Sequence, residues 1–367
     1  MTPVGSKNTV KKISWHTTFG EIGIFERTFL YEGNLLRLFC LSAGVKGRTY
    51  SLPLQRRITD FGADASFSRA SEKLKEHYGI TIPVSSIQRI TEGHAENIKE
   101  NEKLKTDIPD ERGVEYVIAE VDGTMIPIVD TFESMDEEGR AIDKRKTREV
   151  RWTEGRLALA HPKGSVTPIF GATLGDQDEA GNQLAHCAIL SGTGEQTKLH
   201  CVGDGAPWIY DQVDRVFGPQ AVFLIDFYHL CDYLAAASRL CAPDHPSAWM
   251  EEQKQRMKEN NTFDVLNALK PHIEPDSVPD KDAPVRKCYR YIKNRPGQFD
   301  YKGALDADLP IGSGEIESAH RYVIQERLKI AGAWWKEDNA QNILSLRTLR
   351  ANNNWDQYWE SFYKKAA

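Results

Sequence analysis

No two cysteines in the 367 residues stand as C-x-x-C; the six lie at positions 40, 187, 201, 231, 241 and 288. A zinc ribbon and a thioredoxin-like site are therefore not expected, and a disulfide framework does not suit a reducing cytosol. No run of roughly 18 uncharged apolar residues occurs, which excludes a hydrophobic transmembrane helix. The first residues, Met1 to Lys12, carry lysines without an apolar stretch, so no secretory leader is expected and the location expected is cytoplasmic, associated with the nucleoid. Charge of one sign is lacking too: 47 basic residues meet 53 acidic ones, a net of −6. That excludes a uniformly basic nucleic-acid coat but not a local basic groove, because binding needs charge only where phosphates lie. Repeats and low-complexity tracts are absent. What is present is ordinary globular material, 40% hydrophobic and 27% charged, enough for two or three domains at roughly 100–200 residues each.

The first 60 residues mix apolar runs with turn signals. Thr28–Tyr31 and Leu35–Phe39 flank Gly33-Asn34 and read as a hairpin. Residues 66–98 read as two helices. Phe67, Ala70, Leu74 and Tyr78 recur at helical spacing, Gly79 is a stop signal, and Pro83-Val84-Ser85 opens a second helix with Ile87, Ile90 and His94 on one face. A helix pair across a glycine turn has the form of a helix-turn-helix. Ser85, Ser86, Gln88 and Arg89, leading its second helix, are suited to phosphates and base edges. An ordinary structural helix pair is the competing reading. The polar run 99–114 marks a boundary near Asp110.

Beyond it the pattern changes. Strands are expected at 115–122, 151–160, 166–174, 199–204 and 221–226, with a helix after each of the last two. This alternation predicts an α/β or α+β domain with a mixed sheet. Strand signals stop from about 237 to 310, where prolines punctuate helical segments, so an all-helical insertion is expected there. Ile311-Gly-Ser-Gly314 then leads into a long helix from Glu315 to about Lys329 and a last helical stretch rich in aromatics. The spans expected are 1–110 (an N-terminal domain whose helix-turn-helix at about 66–98 would bind DNA), 111–236 (first part of the sheet domain), 237–310 (insertion) and 311–367 (return to the sheet domain, with C-terminal helices).

Three acidic residues stand where elements are expected to meet loops. Asp122 and Asp204 each end an apolar strand at Asp-Gly, and Glu317 lies in the first turn of a helix behind Gly-Ser-Gly. Each alone has an ordinary reading: Asp-Gly is a common turn, and Glu317 suits the helix dipole or a pair with Arg321. Gathered together, three carboxylates repel one another and call for cations. All-oxygen donors suit Mg²⁺ or Mn²⁺, and two such ions activate water and stabilise a leaving oxygen in phosphodiester cleavage. Counting strands puts Asp204 on the fourth and Asp226 on the fifth. An extra strand at Ala185–Leu190 would shift that count and make Asp226 the fourth-strand residue. Trp334, Trp335 and Trp355 read as core residues rather than base-stacking platforms. Lys144, Arg145, Lys146, Arg148 and Arg151 form the densest basic run, a solvated loop or a phosphate contact.

Val121-Asp122-Gly123-Thr124, Gly203-Asp204-Gly205-Ala206-Pro207-Trp208-Ile209, Asp226-Phe227-Tyr228-His229 and Ile311–Ala319 resemble, in order, the signatures of bacterial insertion-sequence DDE transposases. The closest resemblance is to the Kra-type group, related to Mutator-like transposases. Arg327-Leu328-Lys329, Gly332 and Trp334-Trp335 fit the Arg-x-Lys, Gly, Trp stretch that follows the glutamate in that group. The resemblance runs from about 114 to the C-terminus. The paired N-terminal cysteines of many relatives are missing. The resemblance implies an RNase H-like catalytic domain in which Asp122, Asp204 and Glu317 hold two Mg²⁺ (or Mn²⁺) ions, with a helical insertion before the glutamate. It implies nicking at transposon ends and attack of the freed 3′-hydroxyl on target DNA, by a homo-oligomer, at least a dimer, without a membrane. Asp226 and His229 take the place of a Cys-x-x-His motif in Mutator-like relatives and are auxiliary candidates. Arg327 and Lys329 join Ser85, Ser86, Gln88, Arg89, Lys144, Arg145 and Lys146 as DNA-binding candidates. The alternatives are a domesticated or inactive transposase that only binds DNA, and a metal-dependent nuclease without strand transfer.

Overall fold

In a computed structural model, residues 9–31, 34–42, 50–136, 138–143 and 146–366 are described. The chain starts as an antiparallel meander of β1 (Thr9–Thr17), β2 (Gly20–Tyr31) and β3 (Asn34–Arg37). The hairpin expected near position 33 is there, with Tyr31 opposite Asn34; Gly33 itself lies outside the described residues. β1 carried no clear strand signal, and the chain turns helical at α1 (Leu38–Ser42) where the strand was expected to run on through Phe39.

Three helices follow: α2 (Leu52–Asp64), α3 (Phe67–Tyr78) and α4 (Val84–Asn101). Ser51 and Ser66 cap the first two by accepting from Leu54 N–H and Arg69 N–H, each satisfying a first-turn donor. Gly79 ends α3 at φ +65°, a left-handed conformation that costs glycine nothing. Leu54, Ile58, Leu74, Ile82 and Ile87 are buried together, each contributing about 1.5–3 kcal/mol by leaving water.

The second sheet is built from β4 (Tyr116–Thr131), β5 (Arg148–Pro162), β6 (Ile169–Thr173), β7 (Lys198–Gly203) and β8 (Ala221–Ile225). Their order across the sheet is β6-β5-β4-β7-β8. β6 is antiparallel to β5, whereas β7 is parallel to β4 and β8 parallel to β7. Parallel neighbours need crossovers, supplied by α5 (Gln177–Leu190) before β7 and α6 (Pro207–Phe217) before β8. The segment 185–190, which could have been an extra strand, lies inside α5, so β7 is the fourth strand of this sheet. β4 does not stop at Asp122-Gly123 as expected. Its β-branched residues continue through Ile126, Ile128 and Val129, and the strand ends at Thr131.

From β8 the chain enters α7 (Phe227–Cys241), then α8 (Pro246–Lys258), α9 (Thr262–Leu269), α10 (Pro284–Lys293) and α11 (Tyr301–Asp306). No strand falls between 237 and 310. Met257, Val265, Leu269, Val285, Cys288 and Tyr301 from this segment share one core with Val117, Leu199 and Leu224 of the sheet. The long helix expected from Glu315 is broken: α12 (Gly314–Ala319) passes into a π-helical turn, His320–Gln325, then α13 (Glu326–Leu328). α14 (Glu337–Ala351) and α15 (Trp355–Ala366) complete the chain.

The chain divides into two compact units. One comprises 1–102, 126–153 and 321–367; the other comprises 103–125 and 154–320. All six cysteines are buried free thiols. Among the described residues no helix is long and apolar enough to cross a membrane.

A candidate carboxylate site at the ends of parallel strands

The parallel ladders set the site. Glu120 on β4 pairs with Val202 on β7, so Asp122 and Asp204 each stand two residues beyond the same rung. Gly203 on β7 pairs with Ile225 on β8, which puts Asp204 and Asp226 each one residue beyond theirs. Three aspartates thus come level on three neighbouring strands, just past the carboxyl ends of β7 and β8 and midway along the longer β4, about 4.8 Å apart strand to strand. Loops leaving such ends are where open parallel sheets carry their ligands.

Asp226 is consumed by the fold. Its N–H donates to Gly203 C=O (2.7 Å), and its Oδ1 accepts from His229 N–H (2.8 Å) at the start of α7. Its Oδ2 accepts from both the N–H and the hydroxyl of Ser313, at 2.5 and 2.6 Å. Glu120 is consumed as well: buried in β4, it accepts the N–H of Ile316 (2.9 Å). These two carboxylates anchor the 311–316 segment and the start of α12 to the sheet. Burial pushes the Glu120 carboxyl up to about 8, with repulsion from Glu315, Asp226 and Glu317 adding to it and the Ile316 hydrogen bond opposing it.

Asp122, Asp204 and Glu317 keep acceptor capacity. Asp204 Oδ1 accepts from Ala206 N–H (2.8 Å), and its Oδ2 makes no hydrogen bond among the described residues. Gly205, at φ +83°, turns the chain sharply behind it. Gly123 differs: it lies within β4 without a positive φ, and a Cβ there would lie 2.2 Å from Glu154 Oε1, so a larger residue would push that side chain aside. Asp122 Oδ2 lies 3.3 Å from Nε2 of the buried His320, without hydrogen-bond geometry. Glu317 is exposed on α12; its N–H donates to Ser313 C=O (3.4 Å), and its carboxylate makes no hydrogen bond or ion pair among the described residues. Its neighbour Glu315 faces Nε2 of another buried histidine, His161 on β5, at 3.0 Å.

Glu120, His161 and His320 were not singled out from the sequence. Glu120 had a signal: a lone charged residue in the apolar run 117–121, on the same strand face as Asp122. His320 had a weaker one, three residues after Glu317 on one helical face. His161 had none.

The donor set, three carboxylates with oxygens left over, is chemically suited to a hard divalent cation. Among the described residues, however, no three His, Cys, Asp or Glu side chains are grouped so that they could hold a metal ion. The carboxylates fit such an ion in kind, but they are not drawn together into a finished cage.

The remaining candidates are dispersed. His229 lies on the first turn of α7, its ring 5.8 Å from Tyr233 and 6.2 Å from Tyr291. Ser85, Gln88 and Arg89 are exposed at the start of α4 and Ser86 is half-buried there; Gln88 donates to Glu92 (3.1 Å). Lys144 and Arg145 lie outside the described residues, and Lys146 and Lys329 are exposed. Arg327 is a correction. It is only 2% exposed, donates from Nε to Gly62 C=O (2.9 Å), and its guanidinium lies 4.6 Å from the Trp335 ring and 4.8 Å from Phe67. Burial lowers its pKa to about 10. A side chain so enclosed cannot reach a phosphate. Trp335 is core as expected, but Trp334 is 43% exposed with Arg148 lying over its ring at 4.3 Å, so it is not core.

Fold and site together define a mixed α/β protein with two sheets and a carboxylate-bearing strand edge. The chain belongs to the uncharacterised protein family UPF0236, whose profile matches residues 8–358. No curated protein matches it. Two solved structures of NurA, one of them with manganese, show 14% and 16% identity with TM-scores of 0.13 and 0.12. Each alignment covers 76% of this chain, which spans 64% and 65% of the NurA chains. Scores that low carry no argument about fold or activity.

Proposed function

We propose that this chain is a DDE-type DNA transposase with an RNase H-like catalytic domain, cutting at the ends of its element and joining them to target DNA. The observation that carries the reading is the sorting of the carboxylates. Of those at the strand ends and on α12, Glu120 and Asp226 are spent on holding the 311–316 segment. Asp122, Asp204 and Glu317, the residues that match the transposase signatures, retain acceptor capacity. The strand order β6-β5-β4-β7-β8 supports the fold assignment: a three-stranded run extended on one side by two parallel strands.

In this reading Mg²⁺ or Mn²⁺, when bound, supplies Lewis-acid activation of water and of the scissile phosphate. The chain's own residues hold and orient. Asp226 and Glu120 fix α12 by its first N–H groups, so that Glu317 is carried on a helix tied to the same sheet as Asp122 and Asp204. His320 stands behind Asp122 and limits the directions that carboxylate can take. End recognition is assigned to α3, Gly79 and α4, with Arg89 and Ser85 on the exposed side.

The test is a cleavage and strand-transfer assay with labelled duplexes taken from either side of the coding sequence. Wild-type protein with Mg²⁺ is expected to yield nicked ends and joined products. Asp122→Asn and Glu317→Gln are expected to lose both while still shifting the duplex in a gel. Cutting without joining would make the protein a nuclease, and binding without cutting a DNA-binding relic.

A further inference from the structure

Beside Asp204 lies a cavity of about 490 Å³ lined by Tyr233, Lys287, Arg290, Tyr291, Asn294 and Arg295. One wall is Tyr233 of α7, the helix that follows β8; the other is α10 and the two residues after it, in the helical segment 237–310 to which the proposed chemistry assigns no task. It is joined to the carboxylate loop by two hydrogen bonds. The Tyr291 hydroxyl donates to Asp204 C=O (2.7 Å), and Arg295 Nε donates to Gly205 C=O (3.0 Å).

The lining combines cations with stacked rings. Tyr233 and Tyr291 lie face to face at 4.1 Å and 15°, and the Arg295 guanidinium is 4.2 Å from the Tyr291 ring centre. Tyr291 is thus packed between Tyr233 and Arg295, whereas Tyr233, half-buried and with the His229 ring 5.8 Å away, keeps part of its ring surface on the cavity. Arg295 also donates from Nη1 to Tyr291 C=O (3.0 Å), while its Nη2 makes no hydrogen bond among the described residues. Lys287 is exposed and has no ion pair among them; Arg290 gives one nitrogen to Asp280 (2.6 Å). Cations on one wall and a ring face on another are the two elements that single-stranded nucleic acid requires, because every base has a π-face and every link a phosphate.

We propose that this cavity holds a nucleotide of an unpaired DNA strand next to the cleavage point, its base on Tyr233 and its phosphates on Lys287 and Arg295. The inference rests on the transposase reading for its substrate. A strand passing Asp204 has its neighbouring nucleotide within reach of Tyr291 and Arg295, which are hydrogen-bonded to that same loop. The helical segment then works as a clamp that keeps an opened strand end beside the carboxylates.

The experiment uses the full chain and a fluorescein-labelled single-stranded oligonucleotide of mixed sequence, about 20 nucleotides long, followed by anisotropy across a salt series. Tyr233→Leu is expected to weaken binding about 5- to 150-fold, the range found when one stacking ring is removed. Lys287→Ala is expected to lower the log–log salt slope by about 0.7, the share of one phosphate contact on a single strand. Lys287→Glu, at an exposed position that cannot disturb packing, guards against a folding artefact and should weaken binding further. Wild-type affinity in all three variants, or no single-strand binding by wild type, would overturn the proposal. If Asp122→Asn cut DNA as well as wild type while the cavity variants lost binding, the transposase reading would fall and the cavity would stand. The reverse result would remove the cavity alone.

Discussion

At the scale of single residues, chemical type told less than environment. Four acids, one within β4, one just past each of β7 and β8 and one on α12, look alike in the sequence, yet the Asp226 carboxylate accepts three hydrogen bonds and that of Glu317 none among the described residues. Arg327 was a DNA-binding candidate through the Arg-x-Lys motif of the resemblance, but it is sealed between Phe67 and Trp335. Gly205 shows where a residue and its surroundings agree. Asp-Gly is a turn signal, and Gly205 takes φ +83° with the Tyr291 hydroxyl 2.9 Å from where a Cβ would stand. Gly205→Ala is therefore expected to cost about 1–3 kcal/mol of stability from the strained backbone and to displace Asp204. A urea titration reads the first effect. Cleavage activity reduced beyond what the lost stability explains reads the second.

At the scale of elements, the helices of the unit holding residues 1–102 and 321–367 are tied together at His94. This residue of α4 is 8% exposed; Nδ1 meets the Tyr358 hydroxyl of α15 at 2.9 Å and Nε2 meets Gln55 Oε1 of α2 at 3.1 Å. Trp359 and Phe362 crowd its ring. Burial pushes its pKa down to about 4. Unfolded, the imidazole takes a proton near 6.5, so between these values the unfolded chain binds more protons than the folded one. The stabilising contribution is complete above pH 6.5 and is lost as pH falls through the interval toward 4. Denaturant midpoints between pH 7 and pH 4.5 should show a loss on the order of 2–3 kcal/mol from this group, and His94→Gln should flatten the curve. An unchanged slope in that variant would mean that other groups carry the acid sensitivity.

At the scale of the whole molecule, the expected cation offers a readout independent of DNA. Binding to the folded state alone stabilises by about 2.7 kcal/mol at a hundredfold excess over Kd. Millimolar Mn²⁺ is expected to raise the melting temperature of the wild-type protein. The rise should shrink in Asp122→Asn, Asp204→Asn and Glu317→Gln and persist in Glu315→Gln, whose carboxylate faces His161. A full shift in Asp204→Asn would move the second position elsewhere, and no shift in wild type would count against a metal site of this affinity.

The sequence by itself determined a good part of this protein. Short apolar, β-rich runs bounded by turn signals located the strands of the second sheet, whose residues are buried in continuous stretches, as strands covered on both faces are. Helical spacing and Gly79 located α3 and α4, and the proline-punctuated segment before Ile311 was legible as strandless. The signals failed where continuation depended on partners. β4 ran on past Asp122-Gly123 because its later residues found neighbours, and the helix after Glu315 opened into a π turn at His320. Only the tertiary structure decided which carboxylates stay free. Whether an oxygen is spent depends on backbone donors brought from far along the chain, such as Ser313 to Asp226 and Ile316 to Glu120, and no local pattern encodes a meeting of residues 87 and 196 positions apart.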